Sequence, residues 1–151
     1  MRVSTTMTVR TTRFGNIKVD DNMIIDFENG LVGFPALKKF CIVEHTEVIK
    51  WLQSVDAPEV AFIVTNPFSL IPDYSFEIDA GAEQHLDIID ASTLVTLVML
   101  SVRQDGVTAN LRTPVLINTE NMKGAQLTIE NSRVPVRFSL EPAIFALESA
   151  A

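Results

Sequence analysis

Apolar and polar residues alternate in many short runs along the chain, and Gly, Pro, Asn and Asp separate these runs. Short runs rich in β-branched and aromatic residues, bounded by such turn residues, predict strands. The predicted strands cover residues 7–13, 17–19, 23–27, 41–44, 51–55, 60–65, 74–78, 94–102, 107–111, 114–118, 125–130 and 134–138. This short and regular spacing argues for one antiparallel barrel or sandwich. We favour the barrel because no run looks like a long exposed edge. The pattern does not decide whether the barrel is closed.

The sequence predicts only short helical segments. Pro35 can open a helical turn over residues 35–40, since its missing N–H costs nothing at a helix start. Asp90 can cap a short helical turn over residues 90–93, and Pro142 can open a short helix over residues 141–147. The expected fold class is therefore mainly β, a small single-domain antiparallel β-barrel-like fold with one or two short helices.

Length and composition agree with this fold. A chain of 151 residues fits one domain, which we expect to cover residues 1–151. The apolar content of 47% is ordinary for a globular protein and excludes a wholly disordered one.

The net charge of −7 is concentrated in the middle of the chain. Residues 51–102 contain no Lys or Arg and hold Asp56, Glu59, Asp73, Glu77, Asp79, Glu83, Asp87 and Asp90. This segment carries −8, so the remainder carries −7 + 8 = +1. Such a segment repels nucleic acid and attracts basic partners, so no direct binding of nucleic acid is expected. The alternative is a solvated face that only keeps the protein soluble.

Candidate chemistry for an enzyme or a metal site is missing from the sequence. Cys41 is the only cysteine and lies in an apolar run, where a thiol usually behaves as a small hydrophobe. His45 and His85 are forty residues apart and neither lies in an HExxH or CxxC setting, so no metal site and no cofactor are expected. The string from Gly30 to Gly33 matches GxxG but follows a strand in an acidic chain, which favours a turn over an RNA clamp. The prediction is a protein without enzymatic activity.

No signal in the sequence points to export or to a membrane. Residues 1–13 are rich in Thr and Arg and lack the apolar region of a secretory signal. The most apolar stretch, residues 94–100, is far too short to span a bilayer. A cytoplasmic location and no membrane partner are the expectation.

A binding module remains, and aromatic residues beside turns are its candidate contacts, since aromatic anchors dominate interface energetics. Trp51 stands within a predicted strand, which favours packing in the core. Phe68 and Tyr74 flank Pro67 and Pro72 in a predicted loop, so we expect both to be more open.

Several strings, in the right order over residues 12–140, resemble the FliW family of flagellar assembly factors. They are Thr12-Arg13-Phe14-Gly15, Phe27-x-x-Gly30-Leu31-x-Gly33-Phe34, Trp51-Leu52-Gln53-Ser54, Ala61-Phe62-Ile63-Val64-Thr65-Asn66-Pro67-Phe68, Pro72-Asp73-Tyr74-x-Phe76, Asn110-Leu111-x-x-Pro114-x-x-Ile117-Asn118, Lys123-Gly124-x-Gln126, Asn131-Ser132 and Val136-Arg137. Asn66 stands where the family often has Asp, and Thr113 where it often has a small apolar residue. Residues 1–11 and 141–151 match nothing in the family and are expected to be loose tails.

The resemblance implies a cytoplasmic, non-enzymatic protein that binds flagellin and, alternatively, the translational regulator CsrA. CsrA is a small dimer that represses flagellin messenger RNA. Export of flagellin frees such a protein to sequester CsrA, and flagellin translation then rises. The family is described as acting on CsrA away from its RNA-binding face, so the inhibition is allosteric. The alternative function is a flagellin-specific chaperone without a translational role.

Charge and turn context, and not the family, assign the contact residues. An RNA-binding partner is basic, so the acidic middle segment is expected to supply much of the contact with CsrA. We predict that Asp73 and Glu77 steer association and that Phe68 and Tyr74 anchor the complex. The free protein is expected to be monomeric.

Overall fold

A computed structural model describes residues 5–140. The strands in this range are β1 (Thr6–Thr11), β2 (Gly15–Asp20), β3 (Ile25–Phe27), β4 (Lys39–Glu44), β5 (Ile49–Ser54), β6 (Ala61–Thr65), β7 (Leu94–Arg103), β8 (Gly106–Ala109), β9 (Val115–Asn118), β10 (Lys123–Gln126) and β11 (Phe138–Leu140). The helices are α1 (Pro67–Leu70) and α2 (Ala80–Leu86), and single 3₁₀ turns cover Asp21–Met23 and Ala91–Thr93.

Seven strands of the described range close into a barrel. Neighbours pair in the order β7, β6, β5, β4, β3, β10 and β9, and β9 pairs with β7 to complete the ring. Each of these pairs is antiparallel except β3 with β10, which is parallel through Asp26 with Lys123 and Phe27 with Gly124. Closure leaves the barrel without free edges, which removes the strand-pairing hazard of an open sheet.

Strand β7 is long enough to take part in two structures. Its first half, Leu94 to Leu97, pairs with β9 inside the barrel. Its second half, Leu100 to Arg103, pairs with β8, and β8 pairs in turn with β11. Residues 110–114 connect β8 to β9, and the Asn110 N–H donates to the Met99 carbonyl of β7 at 2.9 Å. The barrel therefore continues into a small sheet on one side.

Most buried apolar side chains of the described range belong to two clusters. The barrel cluster contains Ile25, Phe27, Leu31, Phe40, Leu52, Val64, Leu97, Val115 and Ile117. The outer cluster contains Ile49, Tyr74, Val98, Leu100, Val107, Ala109, Leu111 and Leu140. Phe27 and Phe40 are fully buried and meet edge to face at 5.4 Å. Burial of each such ring stabilises the fold by roughly 2–3 kcal/mol.

A separate hairpin of β1 and β2 lies on the outside of the barrel. Its turn places the guanidinium of Arg13 4.4 Å from the centre of the Trp51 ring, and Phe14 meets the same ring edge to face at 5.8 Å. Trp51 is consequently half-buried beneath the hairpin and belongs to neither buried cluster described above, so the predicted packing in the core is not found.

The predicted fold class is confirmed, a mainly β barrel with two short helices. The helical turn predicted at residues 90–93 is confirmed as the 3₁₀ turn Ala91–Thr93, which Asp90 caps, but the other helix positions differ from the prediction. Residues 35–38 form turns and not a helix, because Leu31 and Phe34 pair across a tight turn and the chain then enters β4. The predicted helix at residues 141–147 lies outside the described residues.

Three predicted strands depart most from the structure, while others, such as 23–27 and 107–111, begin later or end earlier than predicted. Residues 134–137 are not a strand, because the guanidinium of Arg112 binds the carbonyls of Ser132 and Val134 and holds a turn there. Strand β11 begins only at Phe138. Residues 74–78 keep the predicted alternation of burial but pair with no strand of the described range. Strand β10 ends at Gln126, and residues 127–129 continue beside residues 112–114.

No helix within residues 5–140 has the length and apolar character needed to cross a membrane.

Candidate functional site

The connection between β6 and β7 is the most distinctive surface of the described chain. It covers residues 66–93, contains both helices and is called the acidic connection below. It carries no Lys or Arg, and its carboxylates are all exposed: Asp73, Glu77, Asp79, Glu83, Asp87 and Asp90. Six negative charges on one exposed connection make this part of the surface strongly acidic.

The acidic connection begins with α1, a single helical turn that local sequence explains. The side chain of Asn66 accepts a hydrogen bond of 2.9 Å from the N–H of Phe68, which caps the helix. Pro67 follows at the first helical position, where its missing N–H is harmless. Phe68 is 42% exposed, so the expectation of an open position is confirmed for this residue. Asn caps as well as Asp does, so the departure from the family pattern at Asn66 preserves the cap.

Tyr74 is buried, and the expectation that it lies open is wrong. Its side chain is 9% exposed, and its hydroxyl donates a hydrogen bond of 2.6 Å to the carbonyl of Leu111. Burial raises the pKa of Tyr74 to about 12. The ring lies 5.8 Å from Phe68 and 5.6 Å from Phe76. Tyr74 therefore fixes the acidic connection to the outer cluster and supports the exposed ring of Phe68 from below.

Asp73 and Glu77 are both exposed, as the prediction of steering groups requires. Asp73 stands next to Tyr74 in the turn after α1, and Glu77 lies further along the chain on the wall of an open groove. The structure brings the aromatic residues Phe68, Tyr74 and Phe76 together in a row. Asp73 and Glu77 are the sequence neighbours of Tyr74 and Phe76 in this row.

Helix α2 is held in place by a buried amide. Asp79 caps its start by accepting a hydrogen bond of 2.7 Å from Ala82 N–H. The side chain of Asn118 donates to the carbonyls of Leu86 and Asp87 at 2.9 and 3.3 Å. Asn118 is 1% exposed and lies on β9, so the barrel itself anchors the end of α2.

The 3₁₀ turn at the end of the acidic connection joins the same network. The hydroxyl of Thr93 donates to Asn118 Oδ1 at 2.9 Å. Asp90 accepts a hydrogen bond from the N–H of Ser92, and this bond lowers the pKa of the Asp90 carboxyl. Both ends of residues 79–93 are thus fixed, and their carboxylates are displayed on ordered backbone.

The described residues form no constellation for metal binding. In residues 5–140 no three His, Cys, Asp or Glu side chains come together in a way that holds a metal ion. Cys41 is buried in β4, and desolvation raises the pKa of its thiol to about 11, which keeps it protonated at neutral pH. His85 of α2 lies 2.7 Å from Glu28 and links the helix to the turn after β3.

Several residues of the family-like strings have structural work that the sequence did not reveal. Gln53 is fully buried, and its amide donates to carbonyls of the β5–β6 loop, including Val60 at 3.2 Å. Gly124 lies against the ring of Phe27, where a Cβ would approach within 2.6 Å. Asn118 is the third such case. The sequence offered one signal for Gln53 and Asn118, which is a polar side chain inside a predicted strand.

Three comparisons with known proteins give one result. The family model described as FliW protein matches residues 8–140. The chain is 36% identical over 136 residues to the flagellar assembly factor FliW of Caldanaerobacter subterraneus subsp. tengcongensis, covering 87% of this chain and 91% of that protein. It is 33% identical over 141 residues to the flagellar assembly factor FliW of Bacillus pumilus, covering 91% and 98%. A crystal structure of the flagellar assembly factor FliW matches with a TM-score of 0.85 at 30% identity, covering 90% of this chain and 98% of that one.

Proposed function

The chain belongs to the FliW family of flagellar assembly factors, and from this membership we propose that it is a cytoplasmic, non-enzymatic protein that binds flagellin and, alternatively, CsrA. Binding to CsrA antagonises this regulator allosterically, so that flagellin translation follows flagellin export. The observation that carries the CsrA part is the acidic connection, with six exposed carboxylates and no Lys or Arg.

The switch needs a physical link between its two partners. Flagellin displaces CsrA only when the two bind overlapping surfaces, or surfaces joined by an element with two states. A ligand that binds both states equally shifts nothing, however tight its binding. Hydrogen bonds at Tyr74 and at Asn118 hold the acidic connection to the rest of the fold. Because the connection is held in this way, overlapping binding surfaces are a simpler arrangement than an element with two states.

Charge supports the acidic connection as the CsrA surface. A protein that binds RNA presents basic groups, and complementary charge accelerates the encounter of two proteins. Asp73 and Glu77 are exposed and take the steering role. Phe68 takes the anchoring role, because its ring is partly exposed and Tyr74 supports it at 5.8 Å.

The first experiment measures the association rate with purified CsrA at low and high salt. Exposed charges within a Debye length are screened by salt, so steering by Asp73 and Glu77 predicts a rate that falls steeply with ionic strength. Asp73→Lys is expected to slow association, and Asp105→Lys, in the β7–β8 turn, serves as the matched control. A rate that hardly changes with salt, or normal association of Asp73→Lys, contradicts the proposed surface.

The second experiment tests the switch itself. The complex with CsrA is formed first, flagellin is added, and release of CsrA is measured. Release supports the partner switch, and simultaneous binding of both partners contradicts it. Binding of flagellin without any binding of CsrA identifies the alternative function, a flagellin-specific chaperone.

A further inference from the structure

An open groove of about 870 Å³ runs beside the acidic connection. One wall is residues 75–79 of the connection, and the other wall is residues 127–131, which follow β10. The lining residues are Ser75, Phe76, Glu77, Ile78, Asp79, Leu127, Thr128, Ile129, Glu130, Asn131 and Val134. We call it the acidic groove.

The wall formed by residues 127–131 is hydrogen-bonded along one edge and unpaired along the other. The N–H groups of Leu127 and Ile129 donate to the carbonyls of Pro114 and Arg112 at 2.9 and 2.8 Å. Successive backbone groups of an extended chain point to opposite sides, so Thr128 and Glu130 direct theirs away from residues 112–114. Neither Thr128 nor Glu130 makes a backbone hydrogen bond with any part of residues 5–140. The wall therefore resembles the unpaired edge of a sheet.

The opposite wall is equally unpaired. Residues 75–78 alternate between exposed and partly buried positions as a strand does, yet their N–H and C=O groups make no hydrogen bonds within the described chain. Phe76 packs on the outer cluster, as do Ile129 and Val134. These side chains give the groove an apolar floor between two sets of free backbone groups.

The charge of the lining is of one sign. Glu77, Asp79 and Glu130 line the groove, and no Lys or Arg does. The carboxylate of Asp79 is already engaged by Ala82 N–H. The nearby Arg112 guanidinium is engaged by the carbonyls of Ser132 and Val134. Glu77 and Glu130 have no partner among residues 5–140 and are available to cations.

We propose that the acidic groove binds one extended, basic segment of a partner protein by strand addition, with the backbone of Thr128 and Glu130 as the pairing edge. In strand addition, backbone hydrogen bonds supply affinity and alternate side chains supply specificity. Apolar side chains of the incoming segment rest on Phe76 and Ile129, and its Lys or Arg side chains meet Glu77 and Glu130. This inference rests on the proposed function, because it places a segment of a basic partner beside the acidic connection.

The segment at residues 141–151 of the same chain is the competing occupant. It contains Glu141 and Glu148 and no Lys or Arg, so its charge is negative like that of the groove, and the two repel each other. Charge complementarity thus favours a partner from outside the chain.

The test uses the full-length chain and an acetylated peptide of alternating Lys and Val, about seven residues long, with a fluorescent label. The same peptide with alternate backbone nitrogens methylated keeps its charge and loses its pairing edge. We expect the methylated peptide to bind at least about tenfold more weakly, because each lost hydrogen bond weakens binding several-fold. Equal binding of both peptides shows attraction by charge alone and overturns strand addition.

Variants of the chain locate the peptide. Glu77→Gln and Glu130→Gln are each expected to weaken it about threefold at low salt, while Glu59→Gln, an exposed carboxylate in the β5–β6 loop, leaves it unchanged. Amide resonances of Thr128 and Glu130 are expected to shift and to gain protection from hydrogen exchange when peptide is added. Shifts confined to other residues, or protection of both amides before any peptide is added, overturn the proposal. The last result assigns the groove to residues 141–151.

The outcomes separate this inference from the proposed function. CsrA and flagellin binding that is unaffected by Glu77→Gln, Glu130→Gln and competing peptide overturns the groove as a partner site and leaves the proposed function standing. Tight, pairing-dependent peptide binding without any binding of CsrA or flagellin overturns the proposed function and keeps the groove.

Discussion

The phenol of Tyr74 donates a hydrogen bond of 2.6 Å to the backbone carbonyl of Leu111, and this bond fixes the acidic connection to the segment between β8 and β9. Both residues are buried, with 9% and 4% of their surfaces exposed. Because this segment carries the chain from the outer sheet into the barrel, the bond joins the acidic connection to the framework that closes the fold. The ring of Phe68 packs beside the Tyr74 ring that this bond holds, with 5.8 Å between the ring centres.

Tyr74→Phe is expected to lower the free energy of unfolding by about 1–2 kcal/mol, since the Leu111 carbonyl is left buried without its partner. Urea denaturation measures the change. Ser101→Ala removes an exposed hydroxyl that makes no hydrogen bond within residues 5–140, so it serves as the control. An unchanged midpoint for Tyr74→Phe contradicts a stabilising role for this bond.

The same phenol predicts a pH dependence at the alkaline end. The pKa of Tyr74 is raised from 10.0 to about 12 in the folded chain, so the protonated phenol favours folding. This stability is fully present below pH 10 and is lost as the pH rises to about 12, by up to about 3 kcal/mol. Tyr74 is the only tyrosine, so the ultraviolet absorbance of tyrosinate reports it alone.

Tyr74→Phe is the control for this pH dependence. The Cys41 thiol, with its pKa raised to about 11, destabilises both proteins alike at alkaline pH. The difference between the parent and the variant therefore isolates the phenol. A phenol that titrates near pH 10 in the folded protein is incompatible with the buried site.

Asn118→Ala is expected to lower the free energy of unfolding by about 2–4 kcal/mol and to speed hydrogen exchange in α2. The change removes four hydrogen bonds, to the Leu86 and Asp87 carbonyls, the Thr93 hydroxyl and the Glu120 N–H. Asn121→Ala is the matched control. Asn121 also donates to the Leu86 carbonyl, at 3.0 Å, but it is exposed, so a loss below about 1 kcal/mol is expected. Equal losses for the two variants disprove the anchoring role of Asn118.

Short runs rich in β-branched and aromatic residues made most of the barrel predictable. β4 and β6, for example, contain such runs, although their buried positions do not alternate with a period of two. The closure of the barrel could not be predicted from the sequence, because it depends on the parallel pairing of β3 with β10. This pairing involves only two pairs of residues, which are far apart in the chain. At residues 74–78 the alternation was read correctly as a burial pattern, but it carries no information about whether a neighbouring strand pairs with the backbone.

The site was less predictable than the fold. Helix α2 has seven residues, and Leu86 is its only buried one, so it shows no amphipathic period. Tyr74 stands beside Pro72, which suggested an open loop, while its burial is set by Leu111, whose distance in sequence hides the contact. The acidity of the connection could be predicted from the sequence, because the net charge of a segment is the sum of its charged residues and does not depend on the fold.

Gly30→Ala is expected to lower the free energy of unfolding by at least about 3 kcal/mol. Gly30 has φ +66, and a Cβ there would lie 2.5 Å from the Phe34 carbonyl oxygen and 2.7 Å from backbone atoms of Pro35. Gly33→Ala is the control in the same turn. Gly33 has φ +86 with open space around it, so only backbone strain of roughly 1–2 kcal/mol is expected. Thermal unfolding compares the two, and similar losses refute a close approach at Gly30.

Phe68→Ala is expected to weaken the binding of CsrA at least about tenfold while leaving stability nearly unchanged. A ring that is 42% exposed contributes little to the core, so the free energy of unfolding is expected to fall by no more than about 1 kcal/mol. An aromatic anchor that enters a partner's pocket contributes about 2 kcal/mol or more, which explains the larger effect on binding. Val102→Ala, at a 63% exposed position on β7, is the control for the loss of exposed apolar surface. Calorimetric titration measures both variants, and an affinity of Phe68→Ala within about twofold of that of Val102→Ala contradicts the anchor, because truncation of the ring would then matter no more than truncation of any exposed apolar side chain.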